Sequence, residues 1–554
     1  MKPKKWEFVG KGHIAAGAER IDELIDLLLE NRGIKTAKER DEFLYPTLEA
    51  VTPESVGIDL KELTKALKRI KKAIDQKEQI VVFGDYDVDG ITGSAILWET
   101  LHALGAKVLP YIPHRVDEGY GLSSKGISNV QLQISNVKLI ITTDNGIVAH
   151  DAVEFANEQG IDIIITDHHA RDATVPKAYA IVHTTKLCGA GVAFLLAKEI
   201  SNDKLFEDKY LELATLGTVA DLVPLVGANR TIVREGLKIL PQTKRVGLKA
   251  LYQQAGLEKD EFTPYDIGFV IGPRLNASGR IESAMDSLRL LCTTKRERAE
   301  ELAAKLELVN KERQQLLKEA KEYAIAAKRK EQSAKSKKLL ISVDENYAEG
   351  IIGLVAGKLV EEFYRPAIVI AKREKQSKAS VRSVSGFNII EFLRMHADHF
   401  VNVGGHPMAA GFTIETTKIT LLQKTLEKKA EELLTDEMLT RSVKIDCELP
   451  FSVITKEVYD GIQRLAPFGM GNSEPVFATR GVTVEEVRIM GKEGTHLKLV
   501  LKQETKSFEA VGFGMGALAA DLHAGDTIDV AYTIDENVWN GNVKLQLKMK
   551  DITS

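Results

Sequence analysis

Three carboxylates at alternate positions follow a short apolar run near residue 80. Residues 80–83 (IVVF) are β-forming and predict a buried strand. Asp85, Asp87 and Asp89 come next, and the sequence after them has helical spacing. Charges this close repel one another unless a cation neutralises them, and carboxylate oxygens suit Mg²⁺ or Mn²⁺. The stretch predicts a divalent-metal site at the end of a strand. The alternative is a solvated acidic turn before a helix.

Further acids and histidines close other apolar stretches. Asp144 follows the strand-like KLIITT, and Asp167, His168 and His169 follow IDIIIT. Asp221 comes after the apolar stretch LATLGTVA. Parallel strands end at one edge of a sheet, so we expect these side chains to lie together. Metal-binding groups at three successive strand ends indicate a metal centre more strongly than one acid does.

A glycine-rich stretch, GGHPMAAGF, lies far downstream. Gly404 and Gly405 leave room for backbone amides to approach a ligand, and His406 follows them directly. We interpret the stretch as a ligand-binding loop. A tight structural turn is an equal alternative at this point, since a pair of glycines alone has little specificity.

The elements that must position these residues follow from periodicity. Residues 1–75 have amphipathic helical spacing, and strands then alternate with helices from Ile80, which predicts a parallel sheet in an α/β domain. Residues 264–280, PYDIGFVIGPRLNASGR, predict a loop because Gly, Pro and Asn interrupt them. A run without Gly or Pro follows and predicts one long helix, with a coiled coil as the alternative. A second α/β lobe begins near Lys338.

The last part of the chain is rich in β-forming segments. Five or six short strands within about 110 residues, with a hairpin signal at Asn540-Gly541, predict a small barrel of the OB type. The predicted domains are a helical segment (1–55), a parallel-sheet domain (56–275), a linker with a long helix (276–335), a smaller α/β domain (336–435) and an all-β barrel (440–554).

Composition limits the possible functions. The chain has 554 residues and a formal net charge of −4, so an anionic ligand must be met by local basic clusters. Three cysteines form neither a disulfide framework nor a zinc pattern, which fits a reducing cytoplasm. No apolar run is long enough to span a membrane, and the first residues lack the apolar core of a signal peptide. We therefore expect a cytoplasmic protein that is not bound to membranes.

Taken in order, the motifs resemble those of a known superfamily. GDYDVDG, TTDNGI, TDHHA and TVADLVPL are similar to the four motifs of DHH phosphoesterases, and GGHPMAAGF resembles the glycine motif of their associated second domain. CGAGVAF, GPRLNASGRI and the β-rich end narrow the resemblance to the RecJ family. It covers about residue 55 to the end. It implies a metal-dependent exonuclease that degrades single-stranded DNA from the 5′ end to mononucleotides, in DNA recombination and repair.

The resemblance assigns a role to each metal-centre residue. Asp87, Asp89, Asp144, His168 and Asp221 match metal-ligand positions, with Asp144 expected to bridge two Mn²⁺ or Mg²⁺ ions. His168 and Asp144 are thereby also catalytic, and His169 is expected beside the scissile phosphate. Asp167 is expected to orient a histidine.

One position departs from the family pattern. Many relatives have a histidine four residues before Asp87, where this chain has Phe83. Either Asp85 compensates as an additional metal ligand, or that ion binds weakly until DNA supplies an oxygen.

The same resemblance implies substrate and partners. Guanidinium groups bind phosphate in a bidentate fashion, and RecJ-like proteins use such residues on the 5′ phosphate and backbone. The expected substrate-binding residues are Arg115, Arg274, Arg280, Arg382, Gly404, Gly405 and His406. A surface ion pair is the alternative for any of these arginines. Expected partners are single-stranded DNA, a single-strand binding protein and a RecQ-type helicase, with the protein itself a monomer.

Two other functions remain open from sequence. One is a short-oligonucleotide or cyclic-dinucleotide phosphodiesterase of the same superfamily, although such proteins usually lack the C-terminal barrel. The other is a non-catalytic DNA-binding scaffold, although such proteins have typically lost ligands that this chain retains. A nuclease assay separates the three.

Overall fold

The computed structural model describes residues 4–10, 21–114, 118–201, 206–334, 337–539 and 542–553. The chain divides into two compact units. We call residues 32–310 with 460–474 the N-terminal unit, and residues 1–31, 311–459 and 475–554 the C-terminal unit.

The first elements of the chain differ in part from the helical segment predicted for residues 1–55. Strand β1 (Lys5–Phe8) precedes helix α1 (Ile21–Asn31), and both belong to the C-terminal unit. Helix α2 (Ala37–Leu44) follows in the N-terminal unit. The prediction of helices alone was therefore wrong at β1, because a four-residue strand shows too little periodicity to be recognised from sequence.

A five-stranded, all-parallel sheet forms the centre of the N-terminal unit. Its strands are β2 (Gln79–Gly84), β3 (Lys107–Tyr111), β4 (Val137–Thr143), β5 (Asp162–Asp167) and β6 (Ala180–His183), in the order β3-β2-β4-β5-β6. Its remaining helices are α3 (Leu60–Asp75), α4 (Val88–Ala103), α5 (Ser124–Gln133), α6 (His150–Glu158), α7 (Gly189–Ser201), α8 (Phe206–Ala220), α9 (Gly227–Ile239), α10 (Val246–Ala255), α11 (Gly272–Ile281) and α12 (Met285–Cys292).

Both faces of this sheet are buried. Along β2, Ile80 and Val82 belong to one apolar cluster, and Val81 and Phe83 belong to another. Alternate residues of a strand point to opposite faces, so continuous apolar runs are what a sheet covered on both sides requires. The predicted parallel α/β domain is confirmed.

The segment 264–280 is helical, and the predicted loop was wrong. A π-helical turn over Asp266–Ile271 leads directly into α11, which has Pro273 in its first turn. Gly279 packs so closely on the Tyr86 carbonyl that a Cβ atom would lie 2.6 Å from it. The glycine that looked like a loop signal is thus a packing requirement of a helix.

The predicted long helix is present as α13 (Arg296–Ala334), with 39 residues and a length of about 58 Å. Its first part adds Leu302 and Leu306 to the core of the N-terminal unit. Its later part adds Ala324 and Ile325 to an apolar cluster of the C-terminal unit.

The C-terminal unit contains a mixed five-stranded sheet. Its strands are β7 (Leu340–Asp344), β8 (Ala367–Ala371), β9 (Gln376–Arg382), β10 (Asn402–His406) and β11 (Ala409–Glu415), in the order β10-β11-β9-β8-β7. Helices α14 (Ile352–Phe363), α15 (Ile389–Arg394) and α16 (Ile419–Leu433) accompany it. Strand β12 (Ser442–Ile445) pairs in parallel with β1.

A closed barrel ends the chain. Strand β13 (Cys447–Glu448) and helix α17 (Lys456–Gln463) precede β14 (Phe477–Met490), β15 (His496–Gln503), β16 (Lys506–Gly512), β17 (Thr527–Trp539) and β18 (Asn542–Thr553). The order β14-β15-β16-β18-β17 closes through pairing of β17 with β14. The predicted OB-type barrel is confirmed, while the hairpin turn predicted at Asn540-Gly541 lies outside the described residues.

A segment from within the predicted barrel domain belongs to the other unit. Residues 460–474 join the N-terminal unit, where the buried guanidinium of Arg230 donates to the carbonyls of Leu465 (2.8 Å) and Phe43 (3.0 Å). The remaining predicted domain boundaries stay a prediction. Among the described residues, no helix combines the length and apolar character needed to cross a membrane.

Candidate metal centre

Three adjacent strands of the parallel sheet bring the acids to one edge. Asp85 directly follows the end of β2, Asp144 follows β4, and Asp167 is the last residue of β5. Because β2, β4 and β5 are neighbours in the sheet, their carboxyl ends meet. All three carboxylates are almost fully buried.

The start of helix α4 holds two more carboxylates. Asp87 is the N-cap residue, and its side chain accepts the backbone N–H of Gly90 at 3.1 Å. Asp89 lies in the first turn and accepts the N–H groups of Gly189 and Ala190, at 2.6 and 2.8 Å, at the start of α7. Anionic side chains are stabilised at helix N-termini, so local structure fixes both acids before any cation binds.

Asp144 has a backbone conformation that few residues adopt. Its φ is +65°, in the left-handed region where Asp and Asn are the most frequent non-glycine residues. Gly189 packs against it so closely that a Cβ atom on the glycine would lie 2.4 Å from the Asp144 Cβ. The glycine of the CGAGVAF motif therefore lets helix α7 approach the metal centre.

His168 lies between carboxylates from three parts of the chain. Its Nε2 is 3.1 Å from Asp144 Oδ1, 3.6 Å from Asp221 Oδ2 and 3.8 Å from Asp89 Oδ2. Asp221 reaches this point because it immediately follows helix α8.

These side chains form overlapping groups of metal-binding atoms. Within each group the ligand atoms lie within 4.8 Å of one another. The groups are Asp89, His168 and Asp221; Asp85, Asp87 and Asp144; and Asp144, His168 and His169.

The electrostatics favour a cation. Burial, reinforced by the charge of Asp89, raises the pKa of Asp144 well above its usual range and that of Asp221 to about 9. Burial also lowers the pKa of His168, which keeps its ring neutral and able to bind a metal. Asp144 Oδ1, Asp221 Oδ2 and His168 Nε2 are buried and make no hydrogen bond. Buried polar atoms of this kind, on oxygen and imidazole ligands, fit Mn²⁺ or Mg²⁺.

Asp167 contacts His169. Its Oδ1 is 2.8 Å from His169 Nδ1, and it accepts backbone N–H groups from Ile147, His168 and His169. Burial alone raises the pKa of Asp167, but these hydrogen bonds and the charge of His169 outweigh burial, and the pKa is lowered.

The family models match all three main parts of the chain. The DHH family N-terminal domain matches residues 79–218, the DHHA1 domain matches residues 336–432, and the RecJ OB domain matches residues 445–551.

Curated relatives extend the match over nearly the whole chain. A single-stranded-DNA-specific exonuclease RecJ from Bacillus subtilis is 37% identical over 542 residues, which cover 96% of this chain and 68% of the relative. RecJ from Haemophilus influenzae is 32% identical, with 95% of each chain covered. The chain belongs to the RecJ family.

Solved RecJ structures agree with this assignment. The crystal structure of Thermus thermophilus RecJ in complex with Mn²⁺ has a TM-score of 0.83 and 29% identity, and the match covers 99% of this chain and 79% of that one. A second structure of the same protein contains Mg²⁺ and has a TM-score of 0.76. The predicted cofactor type, Mn²⁺ or Mg²⁺, is thus the one found in relatives within the RecJ family.

Phe83, where the resemblance leads us to expect a histidine, has apolar surroundings. Phe83 is completely buried, and its ring centroid lies 5.2 Å from that of Tyr111. The metal-binding group that includes the acids following Phe83 in the chain therefore consists of carboxylates alone: Asp85, Asp87 and Asp144.

The arginines assigned from the RecJ resemblance have different surroundings. Arg115 lies outside the described residues. Arg274 Nε donates to Glu307 at 2.7 Å, and its Nη1 donates to the Val270 carbonyl at 2.8 Å. Arg280 lies in the last turn of α11 and is partly exposed. A role in DNA binding stays a prediction for each.

Two of the remaining assigned residues, Arg382 and His406, share one row at the end of the mixed sheet. Arg382 of β9 pairs with Ala409 of β11, which pairs with His406 of β10. Directly paired residues share a face of the sheet. Gly404, Gly405 and His406 are exposed on the edge strand β10 rather than in a loop, so this segment also has a structural role in a hairpin.

Sequence reasoning missed two residues that contact the metal centre. Asn145 is buried and donates from Nδ2 to the carbonyls of Phe83 and Thr143, which joins the ends of β2 and β4. The hydroxyl of Tyr120 lies 3.0 Å from His169 Nε2. The only sequence signal for Tyr120 is its position between two glycines.

Proposed function

We propose that the protein is a metal-dependent exonuclease that hydrolyses single-stranded DNA from the 5′ end to mononucleotides, in DNA recombination and repair. The observation that carries the proposal is the overlap of the metal-binding groups at the edge of the parallel sheet, in a chain of the RecJ family. The curated relatives are named as single-stranded-DNA-specific exonucleases.

The arrangement supports two ion positions. Asp89, His168 and Asp221 would hold one ion, and Asp85, Asp87 and Asp144 the other. Asp144 is the candidate bridge because its Oδ1 also lies 3.1 Å from His168 Nε2. Two bound divalent ions would lower the pKa of a water and neutralise charge on the phosphate.

The protein's own groups supply orientation and proton handling. The N–H groups of Gly189 and Ala190 hold both oxygens of Asp89, so this ligand loses little freedom when a cation binds. His169 is held through Nδ1 by Asp167, and the latter's hydrogen bond raises the pKa of His169 against the opposing effect of burial. We propose that His169, with the ligands Asp144 and His168, forms the catalytic group, and that His169 holds a proton beside the scissile phosphate.

DNA would be held by groups in each unit. In the C-terminal unit we propose Arg382 and His406, which share one row of the sheet, as phosphate-binding groups. The exposed backbone of the preceding Gly404 and Gly405 would contribute as well. The barrel would bind single strands without base specificity. In the N-terminal unit we propose Arg115, Arg274 and Arg280; a phosphate would have to compete with Glu307 for Arg274.

The resemblance alone supports the further partners. We propose a monomer that works with a single-strand binding protein and a RecQ-type helicase in the cytoplasm.

A polarity assay tests the proposal. Single strands labelled at either end are incubated with the protein and Mn²⁺, with Asp144→Asn as the inactive control. Digestion from the 5′ end releases a 5′-terminal label as a mononucleotide at once, whereas a 3′ label passes through progressively shorter strands. Early release of the 3′ label would show that digestion starts at the 3′ end instead, and would contradict the proposed direction. Tight binding without cleavage would indicate a scaffold, and cleavage limited to oligonucleotides of a few residues would indicate an oligonucleotide phosphodiesterase.

A further inference from the structure

Tyr120 contacts the metal centre from a segment that none of the metal ligands occupies. Its hydroxyl lies 3.0 Å from His169 Nε2 and 3.4 Å from the Asp144 carbonyl. Its ring packs edge-on against the rings of His169 and Tyr86, at centroid distances of 5.9 and 6.2 Å. The side chain is nevertheless half exposed, so the hydroxyl is inside the site while part of the ring faces solvent.

The segment that carries Tyr120 is fixed in place. Gly119 and Gly121 on either side both have positive φ values, and a Cβ atom on Gly121 would lie 3.2 Å from Asn145 Cβ. Asn145 Oδ1 accepts the backbone N–H of Leu122 at 3.1 Å, while its Nδ2 donates to the ends of β2 and β4. One buried amide therefore fixes the Tyr120 loop to the same strand ends that position Asp85 and Asp144.

The hydrogen bonds around His169 determine which nitrogen faces the tyrosine. Asp167 accepts three backbone N–H groups, so its carboxylate is the acceptor and His169 Nδ1 is the donor. In the neutral ring, Nε2 is then an acceptor for the Tyr120 hydroxyl. In the protonated ring, Nε2 donates to the hydroxyl oxygen, whose own proton can then be donated to the Asp144 carbonyl. The backbone of His169 is held as well, because His183 Nε2 donates to its carbonyl at 2.7 Å.

We propose that Tyr120 is a positioning residue for His169, the third member of an Asp167–His169–Tyr120 chain. Asp167 and Tyr120 bind the two nitrogens of the same ring, so the imidazole is fixed in rotation and in tautomer. Without the hydroxyl, the ring would lose its contact at Nε2 and could turn about the hydrogen bond between Nδ1 and Asp167. A proton-transfer residue oriented by a further group is a recurrent arrangement, and here two groups orient His169. The proposal rests on the exonuclease function proposed above.

Tyr120→Phe removes the hydroxyl and keeps the ring. We expect kcat on single-stranded DNA to fall about 10- to 100-fold, within the 10²-fold or more that a general acid or base contributes, with KM changed less than threefold. The rise in melting temperature on addition of Mn²⁺ should stay the same, because the two ion positions proposed above use neither His169 nor Tyr120 as a ligand. Tyr347→Phe is the matched control, since the Tyr347 hydroxyl bonds Ser342 at 2.8 Å in the C-terminal unit, whereas the metal-binding groups belong to the N-terminal unit.

A double-mutant cycle identifies the residue through which Tyr120 acts. In a His169→Ala background, Tyr120→Phe should cost nothing further, because the ring it positions is gone. A crystal structure of Tyr120→Phe gives a readout that needs no activity, and should show the His169 ring without a single orientation.

Three results would overturn the inference: wild-type kcat for Tyr120→Phe, a loss confined to KM, or an unmoved His169 ring in the variant. An equal loss in the His169→Ala background would also overturn it, because Tyr120 would then act on substrate directly. If the wild-type protein itself did not cleave single-stranded DNA, the proposed function would fail instead, while the crystal structure would still test the positioning role.

Discussion

Replacing Asp144 by Asn should stabilise the metal-free protein and abolish its activity. The substitution removes one buried charge, keeps the side-chain volume, and keeps a residue type that tolerates the observed φ of +65°. Alanine is the poorer choice because it would add backbone strain in the left-handed region. The test therefore isolates the charge of the carboxylate from its shape.

The magnitude follows from the spacing of the acids. Two unit charges 4.8 Å apart repel by about 3.5 kcal/mol at an effective dielectric constant of 20, and Asp144 has Asp85 and Asp87 within that distance. Partial protonation relieves part of this repulsion, since burial and Asp89 raise the pKa of Asp144. We therefore expect a gain in unfolding free energy of about 1–3 kcal/mol, and for a unit of this size roughly 1.6 °C in melting temperature per kcal/mol.

The pH dependence has a definite sign. A carboxyl group whose pKa is raised by folding destabilises the folded state progressively as pH rises above its unfolded value, near 4. Asn carries no such charge, so the stabilisation by Asp144→Asn should be larger at pH 8 than at pH 5. With Mn²⁺ present, the wild-type protein should melt at a higher temperature than Asp144→Asn, because Mn²⁺ binding stabilises only the wild-type protein strongly.

The assay is thermal melting with EDTA and with Mn²⁺, at both pH values, together with single-strand hydrolysis. Asp172→Asn is the control, since Asp172 is exposed and outside the metal-binding groups. We expect hydrolysis to fall at least a thousandfold. A metal-free melting temperature below that of wild type would refute the electrostatic argument. A tenth of the wild-type rate with unchanged Mn²⁺ stabilisation would remove Asp144 from the metal centre.

Four other changes test separate parts of the structure. Gly189→Ala should lower the melting temperature by several degrees and weaken Mn²⁺ stabilisation, because its Cβ would lie 2.4 Å from that of Asp144; an unchanged Mn²⁺ response would contradict this. Arg230→Met should cost about 2–4 kcal/mol by leaving buried carbonyls without donors, with activity per folded molecule unchanged. Arg382→Ala should reduce kcat/KM more for 5′-phosphorylated than for 5′-hydroxyl strands, and equal losses would exclude a role in end recognition. Phe513→Ala, at a 64% exposed ring on the barrel, should weaken binding of long strands by about 1–3 kcal/mol, and unchanged affinity would exclude stacking there.

The metal centre could be located from sequence because strands and acids are adjacent in the chain. An apolar run followed at once by Asp85, Asp144 or Asp167 fixes both the strand and its end, and parallel strands place those ends at one edge. Asp221 was found without a strand, since it follows helix α8 instead. Its place in the site depends on how α8 packs, which periodicity does not determine.

Long-range packing explains the elements that sequence did not predict. Residues 264–280 have the composition of a loop, yet tertiary contacts make them helical and use Gly279 for close packing. Residues 460–474 lie in the middle of a β-rich region but bind Arg230, more than 230 positions away. A truncation near residue 440, the natural way to remove the barrel, would therefore also remove acceptors of this buried arginine. Point substitutions such as Phe513→Ala test the barrel more cleanly.

The acids of the site divide into two classes that differ in what neutralises them. Asp87 caps α4, and Asp89 accepts two N–H groups at the start of α7, so helix N-termini partly balance both before a cation arrives. Asp144 and Asp221 have oxygens that are buried without a hydrogen bond, and both have raised pKa values. In the first class the N–H groups offset part of the cost of burial, although burial and the charge of Asp89 still raise the pKa of Asp87. The second class holds the unfavourable electrostatic energy that a divalent ion relieves, so metal affinity should depend more steeply on Asp144 and Asp221 than on Asp87.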